Sequence, residues 1–409
     1  MTVLMVGLSL SILEKLKKDS DYEIIVMDSW EQYNNYSFDK KKYQIIQETY
    51  IADITNPNYY LPVLNEIKEK YIIDGVIPSR DYAVRTAAII AEKLGKKGIG
   101  FEKAKILTNK YFLRKACEEY SIPHPRFRQI DSEKEIAEFI KDKQLILKPT
   151  RLQASIGISR IETKEDISDA WERTSSAREE SAKEIEFGQE KEYVVEEYVG
   201  GQEYSVEALV DDGKIVFINI TEKEIFEDSF VEKGHIVPAN IDERLIEQFE
   251  NEETNLVSEI GITNGMLHTE WKVENNKIYL IECAARMPGD YIFELIQYSY
   301  DFNYVDAYMK MMCGKKYDIK RVNSRVSQIK YFEAVPGILR DIDGIENLLE
   351  DYVVDWCLYK NIGEEIKPVN SSWDRVGYFI VVADDYEDLE RLTNKILANV
   401  KFITQVEEK

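Results

Sequence analysis

Strand and helix patterns alternate along the first 95 residues, and this alternation restricts the possible folds more than any other feature of the sequence. Short apolar runs lie at residues 3–8, 23–28 and 75–78, and helical patterns lie at residues 61–70 and 83–94. Alternating elements of this kind predict a parallel sheet covered by helices on its faces. Gly7 is the only glycine at the end of the first run, so the GxGxxG loop of a nicotinamide-binding fold is missing.

A different pattern begins after the two prolines of SIPHPRF, residues 121–127, and we expect a boundary near residues 100–125. Strand patterns at residues 204–210 and 215–220 flank Asp211–Asp212–Gly213, a strong hairpin turn. A second predicted hairpin joins residues 266–273 to residues 277–283. The middle of the chain is therefore an antiparallel α+β region. A strand pattern at residues 376–383 and a helix at residues 387–399 predict a small α+β unit at the end.

The net charge of −23 argues against a partner that is a nucleic acid or an anionic membrane, because both would repel the chain. No apolar run approaches the roughly 18 residues that a membrane span needs, and the first residues lack the basic segment and cleavage site of a signal peptide. The four cysteines and three histidines are scattered, which makes a structural zinc site unlikely on spacing. We therefore expect a cytoplasmic protein without a nucleic-acid or membrane partner, and a symmetric dimer as the default oligomer.

Glu270 and Glu282 form the most informative pair of polar residues. Each lies in a strand pattern, and one turn joins the two strands, so the two carboxylates are expected side by side on one sheet face. Glu282 interrupts the apolar run IYLI–CAA, where an unpaired carboxylate is costly to bury. A bound Mg²⁺, which takes one or two carboxylates plus substrate phosphates, would compensate for this cost. The alternative is a salt bridge between Glu282 and Arg286, or an exposed strand residue.

Two further segments carry candidate ligand-binding residues. Lys148 ends the apolar strand LILK, and the following segment TRLQASIGISR has the hydroxyl, glycine and cations of a turn that covers phosphates. The alternative for Lys148 is a surface lysine whose stem lies along apolar surface. In VVEEYVGGQEYSV, three glutamates surround a Gly–Gly turn; an extended backbone there can pair with adenine, and Glu203 can accept from ribose hydroxyls. The alternative is an acidic edge strand.

With these segments in order, the chain resembles the ATP-grasp superfamily, and within it the carboxylate–amine ligases that include the L-amino-acid (dipeptide) ligases. The resemblance covers nearly the whole chain. The resembling segments are AEKLGKKGIGFEKAKILTNKYFLRKACEEYSIPHPRF, LILKPTRLQASIGIS, VVEEYVGGQEYSVE, EKGHIVPAN, GMLHTEWKV and LIECAARMPGD. The superfamily often has Glu-x-Asn-x-Arg at the second metal position. Here the middle residue is Ala284, as the dipeptide-ligase branch allows, and the phosphate loop has a single glycine.

The resemblance implies an ATP-grasp fold of mixed α/β and α+β type. It implies a parallel α/β pre-ATP-grasp domain over residues 1–105, an ATP-grasp domain over 106–320 with a lid at about 125–205, and a C-terminal α+β unit over 321–409. It implies nucleotide-binding residues at Lys110, Lys148, Ser155, Gly157, Glu196, Glu197, Tyr198, Val199 and Glu203.

The resemblance also implies the reacting centre. Glu270 and Glu282 would hold two Mg²⁺ ions, with Mn²⁺ as an alternative metal, and Arg286 would contact the transferred phosphate and the reacting carboxylate. His235, His268 and Gly289 are candidate substrate contacts. The alternative for each histidine is a hydrogen-bonded structural role.

The implied activity is ATP-dependent formation of an amide bond between a carboxylate and an amine. It proceeds through an acyl phosphate and releases ADP and phosphate, with an amino acid as one expected substrate. The nucleophile could instead be ammonia, an amino sugar or a carrier-bound thiol. The same segments could also belong to a small-molecule kinase or to a nucleotide-binding regulator without turnover.

Overall fold

The computed structural model describes residues 1–16, 21–35, 42–139, 143–153, 155–178, 192–226 and 231–405. The strands in these ranges are β1 (Thr2–Val6), β2 (Glu23–Asp28), β3 (Ile46–Ile51), β4 (Gly75–Pro78), β5 (Phe127–Ile130), β6 (Leu145–Pro149), β7 (Ser159–Ile161), β8 (Tyr193–Glu197), β9 (Gln202–Asp211), β10 (Lys214–Ile225), β11 (Glu232–Val237), β12 (Gly265–Glu274), β13 (Lys277–Ala284), β14 (Val326–Tyr331), β15 (Gly337–Asp343), β16 (Val353–Leu358), β17 (Glu365–Ile366), β18 (Gly377–Ala383) and β19 (Lys401–Gln405). The helices are α1 (Leu10–Leu16), α2 (Trp30–Asn35), α3 (Pro57–Lys70), α4 (Asp81–Leu94), α5 (Phe101–Leu107), α6 (Lys110–Tyr120), α7 (Glu133–Phe139), α8 (Ile167–Ser176), α9 (Glu243–Ile260), α10 (Ile292–Tyr300), α11 (Tyr304–Met312) and α12 (Tyr386–Asn399).

The N-terminal part is a four-stranded parallel sheet in the order β3-β2-β1-β4, as the alternating pattern predicts. The edge strand β3 was not predicted, because its sequence IQETYI mixes polar with apolar residues and only its first and fifth positions are buried. Helix α4 ends at Gly95, whose φ of 61° is left-handed, and this agrees with the predicted helix end.

The central sheet has eight strands in the order β13-β12-β9-β10-β11-β14-β18-β16. Both predicted hairpins are present: Asp212 and Gly213 have φ of 48° and 78°, and Asn275 and Asn276 have φ of 53° and 61°. Consecutive positive φ values are those of the tight turns that match the twist of antiparallel strands. Strands β14, β16 and β18 of the predicted C-terminal unit extend this sheet, so that unit is continuous with the central sheet. The domain boundaries themselves stay predictions.

Two smaller sheets complete the structure, a four-stranded sheet in the order β5-β8-β6-β7 and a three-stranded sheet in the order β17-β15-β19. The four-stranded sheet β5-β8-β6-β7 faces the central sheet across the main cavity. Residues of β6 and β8 line one side of this cavity, and residues of β9 to β13 line the other. Among the described residues, no helix has both the length and the apolar character needed to cross a membrane.

Strand β12 shows how the sequence directs side chains into this cavity. Successive strand residues point to opposite faces. Leu267 and Trp271 are fully buried in the apolar cluster that contains Phe249 of α9. The alternate residues His268 and Glu270 line the cavity instead. The polar/apolar alternation of HTEWKV therefore fixes which side chains face a ligand.

Candidate functional site

A cavity of about 670 Å³ lies between the two larger antiparallel sheets. Most of the residues singled out from the sequence line it: Lys148, Ser155, Glu196, Glu197, Tyr198, Val199, Glu203, His235, His268, Glu270, Glu282, Arg286 and Gly289. Lys110 lines a smaller adjoining cleft that Glu282 also borders, and Gly157 lines neither. Residues distant in sequence thus meet in one place.

The two carboxylates on β12 and β13 lie directly opposite each other, because Glu270 pairs with Glu282 in the antiparallel register. Each contacts a lysine: Oε1 of Glu270 lies 2.7 Å from Nζ of Lys223, and Oε1 of Glu282 lies 3.2 Å from Nζ of Lys110. Burial raises the pKa of Glu270, but the charges of Lys223 and His268 outweigh it and hold that pKa well below its usual range. The expected side-by-side placement is confirmed, and both groups are carboxylates beside a cation.

Lys223 on β10 is the main residue that sequence reasoning missed. Its side chain is 3% exposed, and its Nζ lies 2.6 Å from Glu203, 2.7 Å from Glu270 and 3.6 Å from Glu232. Burial lowers the pKa of Lys223, but the three carboxylates raise it well above its usual value. The motif EKEIF resembles an ordinary alternating surface strand, so only the tertiary contacts reveal this lysine.

His268 connects the carboxylate pair to a buried polar network. Its Nδ1 lies 2.9 Å from Oε1 of Glu207, and its Nε2 lies 3.7 Å from Glu270. Burial lowers the pKa of His268, but hydrogen bonds to these two carboxylates raise it to about 9. The buried Glu207 also accepts hydrogen bonds from Ser205, Asn219 and Thr221. These contacts therefore favour the protonated form of His268 and hold its ring in place.

His235 is buried on β11, and its Nε2 lies 3.5 Å from Oδ2 of Asp290. It lines the cavity, as does Gly289. Of the segment at residues 227–240, which carries His235, the structure describes residue 231 onward. His268 has a hydrogen-bonded carboxylate partner, whereas neither ring nitrogen of His235 has a hydrogen-bond partner among the described residues. The hydrogen-bonded structural role therefore fits His268, and the substrate-contact role stays a prediction for both histidines.

The nucleotide lysine predicted at Lys148 lies in a buried ion-pair triad. Its Nζ is 2.8 Å from Oε2 of Glu196, and Nε of Arg114 is 2.7 Å from Oε1 of the same carboxylate. Burial raises the pKa of Glu196, but Arg114 and Lys148 lower it to about 2. The side chain of Glu196 is therefore already engaged by two cations. Arg114, on the buried face of α6, was not predicted.

Charged residues contact the end of β8 and the segment that follows it, residues 197–201. Glu197 accepts from Nε of Arg126 at 2.7 Å and from Nζ of Lys143 at 2.9 Å. Nζ of Lys272 lies over the ring of Tyr198, 5.4 Å from the ring centroid. Gly201 has φ of 81°, and a Cβ there would lie 1.9 Å from the carbonyl oxygen of Val273, so only glycine fits this turn.

The predicted phosphate loop contacts Lys110, whose Nζ donates to the carbonyl oxygen of Leu152 at 2.8 Å. Ser155 and Gly157 both have positive φ, 59° and 76°. A Cβ at Gly157 would lie 2.6 Å from Cβ of Ala177, so this position also requires glycine. The loop is described except for residue 154.

Arg286 pairs with Asp81, and not with Glu282 as the salt-bridge interpretation of the sequence had it. Its Nε donates to Oδ2 of Asp81 at 2.8 Å, and its Nη1 donates to the carbonyl oxygen of Met287 at 2.9 Å. Asp81 is the first residue of α4, so the N-terminal part of the chain orients the predicted catalytic arginine. No sequence pattern links these two residues.

The C-terminal unit also reaches the cavity. Arg375 donates from its two terminal guanidinium nitrogens to Asp290, at 3.0 Å and 2.8 Å, and its guanidinium lies 3.8 Å from the ring centre of Tyr331. A two-pronged Arg–carboxylate contact fixes geometry as well as adding energy. This pair, also missed from the sequence, attaches the segment around residue 375 to the loop that carries Gly289.

Comparison with known proteins agrees with this architecture. Residues 142–294 match the model of the ATP-grasp domain, and residues 330–405 match the L-amino acid ligase C-terminal domain 2. The chain thus carries an ATP-grasp domain and an L-amino acid ligase C-terminal domain, which agrees with the resemblance found in the sequence. Its ATP-grasp fold is likewise confirmed.

Among curated relatives, alanine–anticapsin ligase of Bacillus subtilis is 24% identical over 312 residues. The alignment spans 71% of this chain and 65% of that relative, which is less than two thirds of its length. An L-amino acid ligase from Bacillus licheniformis superposes with a TM-score of 0.81 at 18% identity, covering 99% of this chain and 98% of that one. The biotin carboxylase domain of 2-oxoglutarate carboxylase from Hydrogenobacter thermophilus, a dimer bound to MgADP and bicarbonate, superposes with a TM-score of 0.69 at 14% identity, covering 97% and 90%. At such identities the structural likeness shows a shared fold.

Proposed function

We propose that the protein is an ATP-dependent carboxylate–amine ligase that forms ADP and phosphate, with an amino acid as one substrate. The observation that carries this proposal is the meeting of Lys148, Glu203, Glu270, Glu282 and Arg286 around one cavity. Such a cavity offers cations for phosphates, carboxylates for a metal and a guanidinium for the reacting groups. The match to an L-amino acid ligase C-terminal domain supports an amino acid as a substrate.

The carboxylate pair fits Mg²⁺. Glu270 and Glu282 face each other, and each forms an ion pair with a lysine. A bound metal ion would take over the role of these lysines as counter-charge. Among the described residues, no group of three or more His, Cys, Asp or Glu side chains is arranged to hold a metal. The remaining ligands would be nucleotide phosphates and water, which is typical of Mg²⁺. We propose two ions, with Mn²⁺ able to replace them, and bound metal would neutralise charge on the phosphates.

The reaction follows from the residues around that pair. Lys110 and Lys148 bind the phosphates, and the backbone of residues 196–199 lies along the adenine, with Glu203 at the ribose. A substrate carboxylate oxygen attacks the γ-phosphorus, the bond to the β–γ bridging oxygen breaks, and ADP leaves. Arg286 stabilises charge on the transferred phosphoryl oxygens. The amine then attacks the acyl carbon and loses a proton, and phosphate departs. Closure of the loop at residues 150–160 would exclude water from the acyl phosphate.

Measurement of ADP and phosphate release tests this proposal. Purified protein with Mg-ATP is challenged with the twenty L-amino acids, singly and in pairs, and hydroxylamine is added in parallel to trap an acyl phosphate as a hydroxamate. We expect ADP formation that depends on the amino acid, hydroxamate with one or more donors, and free phosphate with a suitable amine. ADP without free phosphate would indicate a kinase instead. Tight ATP binding without turnover under every condition would contradict the ligase assignment.

A second prediction concerns Lys223 and the metal. Replacing Lys223 by Met leaves Glu203, Glu232 and Glu270 without their shared cation, and removing one partner of a buried charge cluster costs about 3–5 kcal/mol. We expect Tm to fall, and MgCl₂ to recover part of the loss. Lys233→Met is the matched control, because Lys233 lies on the neighbouring strand and pairs with Glu333 outside the cavity. Thermal unfolding with EDTA and with MgCl₂ provides the measurement. A Mg²⁺ response equal to that of the unmodified protein would contradict a metal at Glu270.

A further inference from the structure

One end of the cavity is formed by the C-terminal unit, through Tyr359, Lys360, Ser372 and Trp373. We call these four residues the aromatic shelf. Trp373 is 86% exposed and Tyr359 is 41% exposed, although both line the same cavity as Arg286. The indole of Trp373 makes no aromatic or cation contact with any described residue. A large apolar side chain left uncovered at the mouth of a polar cavity is a candidate ligand surface.

The backbone that carries Trp373 is held firmly. Asp374 accepts hydrogen bonds from both the backbone nitrogen and the hydroxyl of Ser371, at 2.8 Å and 2.9 Å. The next residue, Arg375, donates from Nε to the carbonyl oxygen of Ser372 at 3.0 Å and binds Asp290 with its other two nitrogens. The exposed indole is therefore presented by an anchored turn, which limits the entropy lost when a ligand binds.

Lys360 adds a charge to the same surface. It is half-buried and lines the cavity, yet in the part of the chain that the structure describes no carboxylate lies within ion-pair distance of its ammonium. Hydrogen bonds from Asn361 lower the pKa of Glu364, and the charge of Lys360 makes a smaller contribution in the same direction. A partly desolvated ammonium facing a cavity suits a carboxylate on a ligand.

We propose that the aromatic shelf binds the amine substrate, and that this substrate is an α-amino acid with an aromatic or large apolar side chain. The inference rests on the ligase function proposed above. The acyl donor gives its carboxylate to the reaction at Arg286, so a second cation suits the substrate that keeps its carboxylate. That carboxylate binds Lys360, and the side chain packs on Trp373 and Tyr359. Ammonia has neither a carboxylate nor a side chain and would leave the whole shelf unused.

The test separates this inference from the proposed function by using two kinds of nucleophile. Hydroxylamine traps the acyl phosphate and reports the first half of the reaction. L-phenylalanine, L-alanine, phenethylamine and ammonium chloride are then compared as acceptors by mass spectrometry and phosphate release. We expect L-phenylalanine to have a kcat/KM at least about tenfold above those of L-alanine and ammonium, since burying an aromatic side chain stabilises binding by this order. We expect it also to exceed phenethylamine, because phenethylamine has the aromatic ring but lacks the carboxylate that binds Lys360.

Two substitutions assign the effect to the shelf. Trp373→Ala is expected to raise KM for L-phenylalanine about tenfold and to reduce its advantage over L-alanine, and Trp373→Phe to restore most of it. Lys360→Met is expected to reduce the advantage of L-phenylalanine over phenethylamine. Ile362→Ala and Lys367→Met are the controls, since both are exposed residues of the same segment outside the cavity. Both controls are expected to keep the unmodified acceptor profile.

The outcomes are distinct. Hydroxamate formation combined with equal use of phenethylamine, ammonium and L-phenylalanine would contradict substrate binding by the aromatic shelf. It would leave the proposed ligase function intact. Equal losses for every acceptor, hydroxylamine included, in the Trp373 and Lys360 variants would also overturn it. Absence of both hydroxamate and ADP with every donor would overturn the proposed function and this inference with it.

Discussion

Replacing Glu282 by Gln is expected to lower ADP formation by about 10²–10⁴-fold, because metal stabilisation of charge on a transferred phosphoryl group is worth several kcal/mol. The amide keeps the size of the side chain and removes its negative charge. Glu282 is 36% exposed and its one described ion pair, with Lys110, lies at the edge of the cavity, so the fold should persist. Steady-state ADP release at saturating Mg-ATP measures the effect.

A carboxylate outside the site provides the matched control for Glu282→Gln. Glu259→Gln removes an exposed carboxylate of α9 and is expected to leave turnover unchanged. Circular dichroism and Tm of both variants report on the fold. Turnover of Glu282→Gln within about twofold of the unmodified protein would contradict a metal-binding role for Glu282. A parallel fall in both variants would point to a general loss of stability instead.

Replacing Glu196 by Gln is expected to lower the free energy of unfolding by about 3–5 kcal/mol. Glu196 is 1% exposed and binds Arg114 and Lys148, which are also buried. The amide would leave two buried cations without a counter-charge. Glu197→Gln is the matched neighbour, because its partners Arg126 and Lys143 are 44% and 65% exposed, and exposed pairs contribute about 0–1 kcal/mol. Urea unfolding of the two variants compares them directly.

The Glu196 triad also predicts a pH dependence with a definite sign. Arg114 and Lys148 overcome the effect of burial and lower the pKa of Glu196 from 4.5 to about 2. A carboxyl group with a lowered folded-state pKa contributes stability above its unfolded pKa and loses it as the pH falls through the folded value. The unmodified protein should therefore exceed Glu196→Gln in free energy of unfolding by the full amount at pH 7. This difference should decrease below about pH 4.5. A difference that stays constant down to pH 3 would contradict this assignment.

Predictions from the sequence were most accurate where local periodicity controls the structure. Glu270 and Glu282 lie on strands joined by the two-residue turn at Asn275–Asn276, so their pairing follows from alternation and turn geometry. The parallel N-terminal sheet likewise follows from alternating elements. Edge strand β3 escaped prediction because half-exposed strands carry a weak apolar pattern.

The amino-acid sequence by itself determined the class of fold and the facing carboxylates, since both depend on periodicity and turns between neighbours in the chain. Only the tertiary structure decided which cations neutralise those carboxylates. Lys223, Arg114, Asp81 and Arg375 find partners across long sequence separations, 47 residues in the case of Lys223 and Glu270 and 205 residues in the case of Asp81 and Arg286. Such pairs leave no periodic trace, because charge complementarity acts through space and does not depend on the spacing of residues along the chain.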